Sequence, residues 1–349
     1  MFLRMRAEDP ADRPPRHAEA GPVHLGPGPE FDLIRRFLAG SAADGARADV
    51  RVGPGDDCAV VAGNGIALST DMSVEGVHFR RDWLAPREIG WRAAAAALSD
   101  LAAVAARPIG ILVSLAAPAA DTGDFAVQVM EGCREAAEHA GGILLGGDLT
   151  RSPGPMVIDV TVVGEAPRPV LRSGARHGDE VWVTGELGGS AACIEALLAG
   201  KAPAAEARER FARPIPRVRE AQWLLGRGLL NAAVDLSDGL AGDACHIAAA
   251  SGVAVLLVPE LLPVHPAARR RARGQMLRLA LGGGEDYELC FTAPVGAVEP
   301  HAAAFRRTFG IRLSCVGRLG GGDGVWFVDA EGRRTSPGIS GWQHFGGDT

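Results

Sequence analysis

Apolar positions along the chain fall into short runs typical of strands and longer segments with helical spacing. The predicted strands cover residues 60–61, 66–68, 109–115, 143–145, 156–163, 181–183, 232–234, 253–258, 287–292 and 315–316. The predicted helices cover residues 86–106, 125–140, 190–198 and 238–250. Helical spacing at residues 30–34 marks where the ordered chain is expected to begin. Strand and helix signals therefore alternate through two successive stretches, which favours a mixed α and β architecture.

A proline-rich stretch from Glu165 to Val170 separates the two series of elements and indicates a domain boundary. We expect an N-terminal domain at residues 29–167 and a C-terminal domain at residues 168–349. Residues 1–28 mix Arg, Pro, Asp, Glu and Gly without an apolar run, so they are expected to form a disordered extension. The predicted fold class is α+β (α/β), with two domains of similar size.

Composition points to a globular protein of a reducing compartment. Hydrophobic residues make up 47% of the chain and charged residues 22%, enough for a large core. None of the six cysteines forms a C-x-x-C pair, so we expect free thiols and a cytoplasmic location. The longest apolar stretch, near residues 109–120, is too short to span a bilayer, which argues against a membrane partner. The net charge of −6 gives no sign of a nucleic-acid surface.

Aspartates recur where apolar runs or glycine turns end. Four segments follow this pattern: Gly55-Asp56-Asp57, Leu68-Ser69-Thr70-Asp71, Gly146-Gly147-Asp148 and Val234-Asp235-Leu236-Ser237-Asp238-Gly239. Aspartate is a common capping and turn residue, so each one alone also has a purely structural explanation.

Asp100 differs from the other aspartates because it falls inside the predicted alanine-rich helix. Its helical neighbours three and four residues away are apolar, namely Ala96, Ala97, Ala103 and Val104. A buried carboxylate without a partner is costly, so Asp100 is expected to meet a cation or several hydrogen-bond donors.

Divalent metal is the remaining way to bring these carboxylates together, because no arginine is adjacent in sequence to Asp57, Asp71 or Asp235. Carboxylate oxygens suit Mg²⁺, which commonly bridges nucleotide phosphates. Backbone N–H groups at Gly53–Gly55 and Gly146-Gly147 would complement phosphate oxygens. The pattern predicts a polyphosphate site that uses several metal ions.

The chain contains a single lysine, Lys201, among 36 basic residues, and this excludes two common ATP sites. A P-loop needs lysine in G-x-x-x-x-G-K-[ST], but Lys201 lies in Ala-Gly-Lys-Ala-Pro. A protein kinase needs a strand lysine and an H-R-D loop, and the sequence has neither. The glycines at residues 185–189 do not form the dinucleotide-binding pattern.

Eight segments together resemble the thiamine-monophosphate kinase family, within the superfamily of ATP-binding enzymes typified by aminoimidazole ribonucleotide synthetase (PurM-like). They are GPGDDCAVV, LSTDMSVEGVHF, ALSDLAAVAARP, GGDLTRS, LRSGARHGDEVWVTGELGGSAA, AVDLSDGLAGDACHIAAASGV, GGGEDYELCFT and GWQHF. The resemblance extends from about Glu30 to Phe345. The aspartate motifs are shared across the superfamily, whereas STDMxVEGVHF, DLSDGL and GGEDYEL together are more specific.

The resemblance implies a kinase that phosphorylates thiamine monophosphate with ATP and several Mg²⁺ ions, giving thiamine diphosphate. It also implies a homodimer in which N-terminal domains pair into a β-barrel-like core. The implied metal ligands are Asp57, Ser69, Thr70, Asp71, Asp100, Asp148, Asp235 and Asp238, of which Asp57, Asp100, Asp148 and Asp238 would act in catalysis. The implied nucleotide contacts are Gly147, Asp148, Arg172 and Ser237, and the implied substrate contacts are His78, Glu285 and Trp342.

Structural explanations stay open for His78, Glu285 and Trp342, which could be a turn residue, a cap and surface packing. Arg172 could pair with Asp179 instead of a nucleotide. The rival functions are another ATP-dependent synthetase of the superfamily, including a hydrogenase-maturation dehydratase, and a silent nucleotide-binding scaffold. The maturation protein is expected to need a C-terminal cysteine, whereas the sequence ends in Gly-Gly-Asp-Thr. A scaffold has no need of so many uncompensated carboxylates.

Overall fold

A computed structural model describes residues 50–52, 56–61, 63, 65–121, 123–339 and 341–342. The predictions for residues 1–28, 30–34 and Gly53–Gly55 lie outside the described residues, as do positions 343–345 of the closing motif.

The first sheet has six strands. They are β1 (Val50–Val52), β2 (Ala59–Val61), β3 (Ile66–Val74), β4 (Arg107–Ala117), β5 (Ile143–Arg151) and β6 (Val157–Glu165). Their order is β1-β2-β3-β6-β4-β5, so the sheet is open with β1 and β5 at its edges. β4 and β5 are parallel and the other pairs are antiparallel.

Two helices pack together beside this sheet, α1 (Pro86–Ala103) and α2 (Asp124–Ala140). Pro86 is the first residue of α1, and the Glu88 carboxylate accepts the Ala85 N–H at 2.9 Å, which closes the helix N-terminus. The two helices approach closely through glycine, since a Cβ at Gly132 would lie 2.0 Å from the Arg87 carbonyl oxygen.

The second sheet has seven strands. They are β7 (Glu180–Thr184), β8 (Ala232–Asp235), β9 (Ala254–Leu257), β10 (Leu289–Ala293), β11 (Leu313–Gly320), β12 (Val325–Val328) and β13 (Arg334–Thr335). Their order is β13-β12-β9-β11-β7-β10-β8, and only β12 and β9 are parallel. The helices of this half are α3 (Gly189–Leu198), α4 (Ala205–Ala212), α5 (Val218–Leu225), α6 (Leu240–Ser251), α7 (Pro266–Arg269), α8 (Arg273–Gly282) and α9 (Glu299–Phe309).

Helix α1 links the two halves of the molecule. It contacts β3 and β6 of the first sheet and also β8 and α5 of the second half. Fourteen of its eighteen residues are buried, including the charged Arg92. The polar side chains of Arg92 and Ser99 on α1 are therefore buried, where water is largely excluded.

The mixed α and β class and most of the predicted elements are confirmed, and two local predictions are wrong. The segment Gly146-Gly147-Asp148 is not a turn but continues β5, because glycine permits close pairing with β4: a Cβ at Gly147 would lie 1.8 Å from the Val113 carbonyl oxygen. Helix α1 ends at Ala103 rather than near Ala106, because the backbone reverses at Ala105, where φ is 54°.

The pattern missed several short elements of the second half, including α4, α5, α8 and α9. These helices have only 8, 8, 10 and 11 residues, so a helical spacing of apolar positions repeats too few times in each to stand out. Among the described residues, no helix has both the length and the apolar character needed to cross a membrane.

Candidate active site

Three carboxylates from distant parts of the sequence meet at the junction of the two halves. Asp57 precedes β2, Asp100 lies on α1 and Asp235 ends β8. One oxygen from each lies within 4.8 Å of the corresponding oxygens of the other two. Asp57 and Asp235 are buried and Asp100 is partly buried, so their negative charges are poorly screened.

Burial and mutual repulsion act together on this cluster. Burial first, and then the nearby Asp235 and Asp57 carboxylates, raise the pKa of Asp100 well above its usual value. Burial and the Asp57 charge likewise raise the pKa of Asp235. Asp57 has a buried Oδ1 without a hydrogen-bond partner. Such an arrangement is complementary to a divalent cation, which would satisfy the free oxygen and remove the repulsion.

Arg172 partly neutralises the cluster from one side. Its Nε donates to Asp57 Oδ2 at 2.7 Å, and its backbone N–H donates to Asp56 Oδ2 at 3.0 Å. The carbonyl oxygen of Arg172 accepts a hydrogen bond from Ser251 at 2.7 Å, which fixes the turn that carries it. Burial, followed by the Asp57 charge, raises the pKa of Asp56 to about 6. Arg172 pairs with Asp57 and not with Asp179, whose carboxylate instead accepts from Arg176 N–H and Asn231.

Strand alternation divides the Ser69-Thr70-Asp71 segment of β3 between the two faces of the sheet. The Ser69 hydroxyl donates to Asp100 Oδ2 at 2.5 Å, and Asp71 contributes to the charge around Asp100. The Thr70 hydroxyl donates to Asp159 Oδ1 at 3.1 Å and lies 3.2 Å from the Thr161 hydroxyl. The structure therefore brings Ser69 and Asp71 to the cluster and directs the Thr70 side chain elsewhere.

The segment after β8 forms the turn into α6. The backbone N–H groups of Asp238 and Gly239 donate to Asp243 Oδ2 at 3.1 and 3.0 Å. The Asp238 carbonyl oxygen accepts the Trp342 N–H at 3.1 Å, so the end of the described chain lies against this turn. Ser237 and Asp238 are partly buried beside the cluster, but Asp238 is not one of its three members.

Gly147 and Asp148 lie on the exposed edge strand β5. Asp148 pairs in register with Ser114 of β4 and is outside the group of three carboxylates.

A small pocket adjoins the cluster and contains two of the three predicted substrate contacts. It is lined by Asp71, Ser73, His78, Phe79, Ile89, Arg92, Ala93, Ala96, Glu285 and Tyr287. His78 Nδ1 accepts the Val74 N–H at 3.0 Å, which orients the ring. Glu285 pairs with Arg92 at 2.7 Å. Trp342 is 59% exposed and is not among the lining residues.

Arg92, Asp56 and Tyr287 belong to this region but were not assigned to it from the sequence. Arg92 carried the same signal as Asp100, a charged side chain within an apolar helix, so the argument used for Asp100 could have found it. Asp56 stands next to Asp57 in the same motif. Tyr287 gave no signal of its own, because its place in the pocket depends on a backbone with φ of 48°.

Asp286, in the same segment as Glu285, is expected to make stability depend on pH. Its Oδ2 accepts the Gly188 N–H at 2.7 Å, its Oδ1 is buried without a partner, and burial raises its pKa from 3.8 to about 7. The unfolded chain loses this proton near pH 4 whereas the folded chain keeps it to about pH 7, so the free energy of unfolding should fall as pH rises between those values. In D286N this contribution disappears. Urea unfolding at a series of pH values from 4 to 8 measures the free energy of unfolding of both proteins. The same pH dependence in the two proteins would contradict a raised pKa of Asp286.

Comparison with known proteins adds independent information. Residues 55–166 match the family model described as AIR synthase related protein, N-terminal domain. Thiamine-monophosphate kinase of Escherichia coli strain K12 is 36% identical over 330 residues, which cover 90% of this chain and 98% of that protein. The enzyme of the same name from Mycobacterium tuberculosis strain H37Rv is 37% identical over 327 residues, covering 91% and 92%.

Solved structures show the same likeness. A structure described as AaThiL complexed with AMPPCP and TMP superposes with a TM-score of 0.76 at 32% identity, covering 90% of this chain and 96% of that one. Thiamine-monophosphate kinase from Stenotrophomonas maltophilia K279a gives 0.71 at 34% identity, covering 88% and 98%. Hydrogenase maturation protein HypE in complex with ATP gives 0.67 at 22% identity, covering 90% and 95%, and this likeness shows a shared fold alone.

Proposed function

The chain belongs to the thiamine-monophosphate kinase family, and we propose that it transfers the γ-phosphate of ATP to thiamine monophosphate, giving thiamine diphosphate and ADP. The observation that carries the proposal is the convergence of Asp57, Asp100 and Asp235 between the two sheets. The relatives at 36% and 37% identity favour this kinase over the maturation protein, which shares only the fold.

Asp57, Asp100 and Asp235 are the residues we propose to hold Mg²⁺. The unpartnered Asp57 oxygen and the raised pKa values of Asp100 and Asp235 support this assignment. The family resemblance implies Ser69, Thr70, Asp71, Asp148 and Asp238 as further ligands, with Asp57, Asp100, Asp148 and Asp238 acting in catalysis. Of these further ligands, Ser69 and Asp71 lie at the cluster, whereas the Thr70 side chain points elsewhere and Asp148 lies on edge strand β5. When bound, Mg²⁺ supplies charge neutralisation between anionic phosphates.

No general base is needed for this reaction, because the attacking oxygen of thiamine monophosphate is already anionic at neutral pH. The task of the protein is to hold two polyanions in line and to reduce their repulsion. We therefore propose direct in-line transfer without a phosphorylated enzyme.

Separate groups are proposed to bind the two substrates. Arg172, oriented by Asp57, would contact the nucleotide together with Gly147, Asp148 and Ser237. His78, Glu285 and Trp342 would meet thiamine monophosphate, whose thiazolium ring is cationic. Glu285 offers an opposite charge, and Trp342 offers an aromatic face for a cation–π contact.

A homodimer is part of the proposal. The face of the first sheet that carries Thr70 also exposes Met72 and Leu112, which are 53% and 40% exposed, and Leu149 on edge strand β5 is 64% exposed. Exposed apolar side chains on an open sheet suit contact with a second copy of the chain, which could complete a barrel-like core. The domain limits at 29–167 and 168–349 and a cytoplasmic location also remain proposals, the latter supported by six free cysteines.

The experiment that tests the function compares acceptors. Purified protein with ATP and Mg²⁺ should release ADP when thiamine monophosphate is present and only trace amounts when thiamine replaces it. Chelation of Mg²⁺ with EDTA should stop the reaction. ADP release that is equal with both acceptors, or absent from folded protein, would reject the proposal in favour of a different ATP-dependent enzyme or a scaffold.

A further inference from the structure

Arg92 is a buried cation that faces both the pocket and the second half of the molecule. Only 5% of its surface is exposed. Its Nη1 donates to the carbonyl oxygen of Phe211, and its guanidinium carbon lies 4.2 Å from the centroid of the Phe211 ring. Its Nη2 lies 2.7 Å from Glu285 Oε1. Three contacts thus fix the guanidinium in one position.

Glu285 lies on a segment whose backbone is unusual. Its φ is 58° in the left-handed region, where non-glycine residues are strained, and its N–H donates to the Ser237 carbonyl oxygen at 2.6 Å. Asp286 and Glu288 point into the second half, where Gly188 and Arg217 bind them. Glu285 alone among these acids lines the pocket, and one of its oxygens is held by Arg92.

We propose that Arg92 is a positioning residue that presents the Glu285 carboxylate to the cationic ring of thiamine monophosphate. The inference rests on the proposed function and adds a residue to its substrate site. Arg92 holds Oε1, which leaves Oε2 to meet the ligand, and preorganisation of this kind strengthens binding by lowering the ordering cost.

The position of Arg92 on α1 also relates the pocket to the carboxylate cluster. Arg92 and Asp100 are eight residues apart on one helix, about 12 Å along its axis. Because Glu285 belongs to the second half, its ion pair with Arg92 sets its place relative to Asp100. It thereby aligns the acceptor pocket with the proposed phosphate site.

Two possible roles of Arg92, one through its charge alone and one through positioning of Glu285, predict opposite effects of a neutral substitution on ligand binding. If Arg92 acted only through its positive charge, its removal would strengthen binding of a cationic ligand. If Arg92 positions Glu285, R92Q releases the carboxylate and weakens binding. We expect the KM for thiamine monophosphate to rise about tenfold in R92Q, with the KM for ATP within about twofold of the original. R92K should have a KM for thiamine monophosphate between those of the original protein and R92Q, because an ammonium group can make only some of the contacts of the planar guanidinium group.

Arg208 provides a matched control. It also joins the two halves, with Nη2 2.7 Å from Glu88 and 3.0 Å from the Trp83 carbonyl oxygen, but it does not line the pocket. R208Q should leave both KM values within about twofold. The double variant R92Q/E285Q should have a KM for thiamine monophosphate no higher than that of E285Q, because Arg92 acts through Glu285.

Calorimetric titration of thiamine monophosphate into protein with Mg²⁺ and AMPPCP gives a second readout without turnover. A dissociation constant that is unchanged or lower in folded R92Q and R92K, or one raised equally by R208Q, would overturn the inference. If the original chain turns nothing over, the proposed function fails, and the titrations still decide whether Arg92 controls binding.

Discussion

Replacing Asp100 by asparagine is expected to lower kcat by two orders of magnitude or more, the scale of about 3 kcal/mol for a lost transition-state interaction. Asp100 combines three features of a metal-binding carboxylate. It lies within 4.8 Å of two other carboxylates, its Oδ2 accepts the Ser69 hydroxyl, and its pKa is raised by burial and by those neighbours. Asparagine keeps the size of the side chain but loses the negative charge.

A stability measurement separates this role from a structural one. Without metal, D100N should be at least as stable as the original protein, because one of three mutually repelling charges is removed. Added Mg²⁺ should raise the Tm of the original protein and raise that of D100N much less. Steady-state kinetics and thermal unfolding in Mg²⁺ or EDTA measure both effects.

Asp121 offers a control carboxylate, because it is paired with Arg81 at 2.7 Å and lies outside the cluster. D121N should keep its kcat and its response to Mg²⁺. Near-normal turnover of D100N at saturating Mg²⁺ would show that Asp100 is a structural residue.

Replacing Arg217 by methionine is expected to lower the free energy of unfolding by about 3 kcal/mol or more, because it breaks a buried ion pair. Glu288 is fully buried and accepts two hydrogen bonds from Arg217, at 2.7 and 2.6 Å. Thr184 donates to it at 2.6 Å, and Arg210 also pairs with it. Burial tends to raise the pKa of Glu288, but the charges of Arg217 and Arg210 outweigh it and hold the pKa low.

Urea unfolding measures the loss, and two variants control it. R210M should lose less of the free energy of unfolding than R217M, because Arg217 still donates to both carboxylate oxygens of Glu288. The double variant R217M/E288M should recover part of the stability, since the fully buried Glu288 charge is gone and only the Glu220 carboxylate loses its pairing with Arg217. A loss below about 1 kcal/mol in R217M, or a double variant no more stable than R217M, would contradict this account.

The parts of the site that depend on a local sequence pattern could be predicted from the sequence. Asp100 was found because a charged residue among alanines needs a partner, and the structure supplies Ser69 and the cluster. The proximity of Asp57 and Asp235 depends on how two sheets meet around α1, which no local pattern encodes. The roles of His78, Glu285 and Trp342 came from the family resemblance alone, and they stay predictions.

Features of the site that depend on tertiary contacts could not be predicted from local sequence patterns. The sequence favours a turn at Gly146-Gly147, but close pairing of β5 with β4 requires glycine in a strand. Arg92 carries the same signal as Asp100, a charged side chain among apolar helical neighbours, but the identity of its partners, Phe211 and Glu285, depends on tertiary contacts. Backbone with positive φ at Glu285 and Tyr287 is likewise set by pairing with the 236–237 segment rather than by their own residue types.

The fate of the γ-phosphate tests the central claim most directly. The protein is incubated with Mg²⁺, thiamine monophosphate and ATP labelled with ³²P at the γ-position, and the products are separated from the protein after quenching. Direct transfer predicts one labelled thiamine diphosphate for each ADP formed, with no label on the protein. Label recovered only as inorganic phosphate, or held on the protein in a form that thiamine monophosphate discharges, would contradict it.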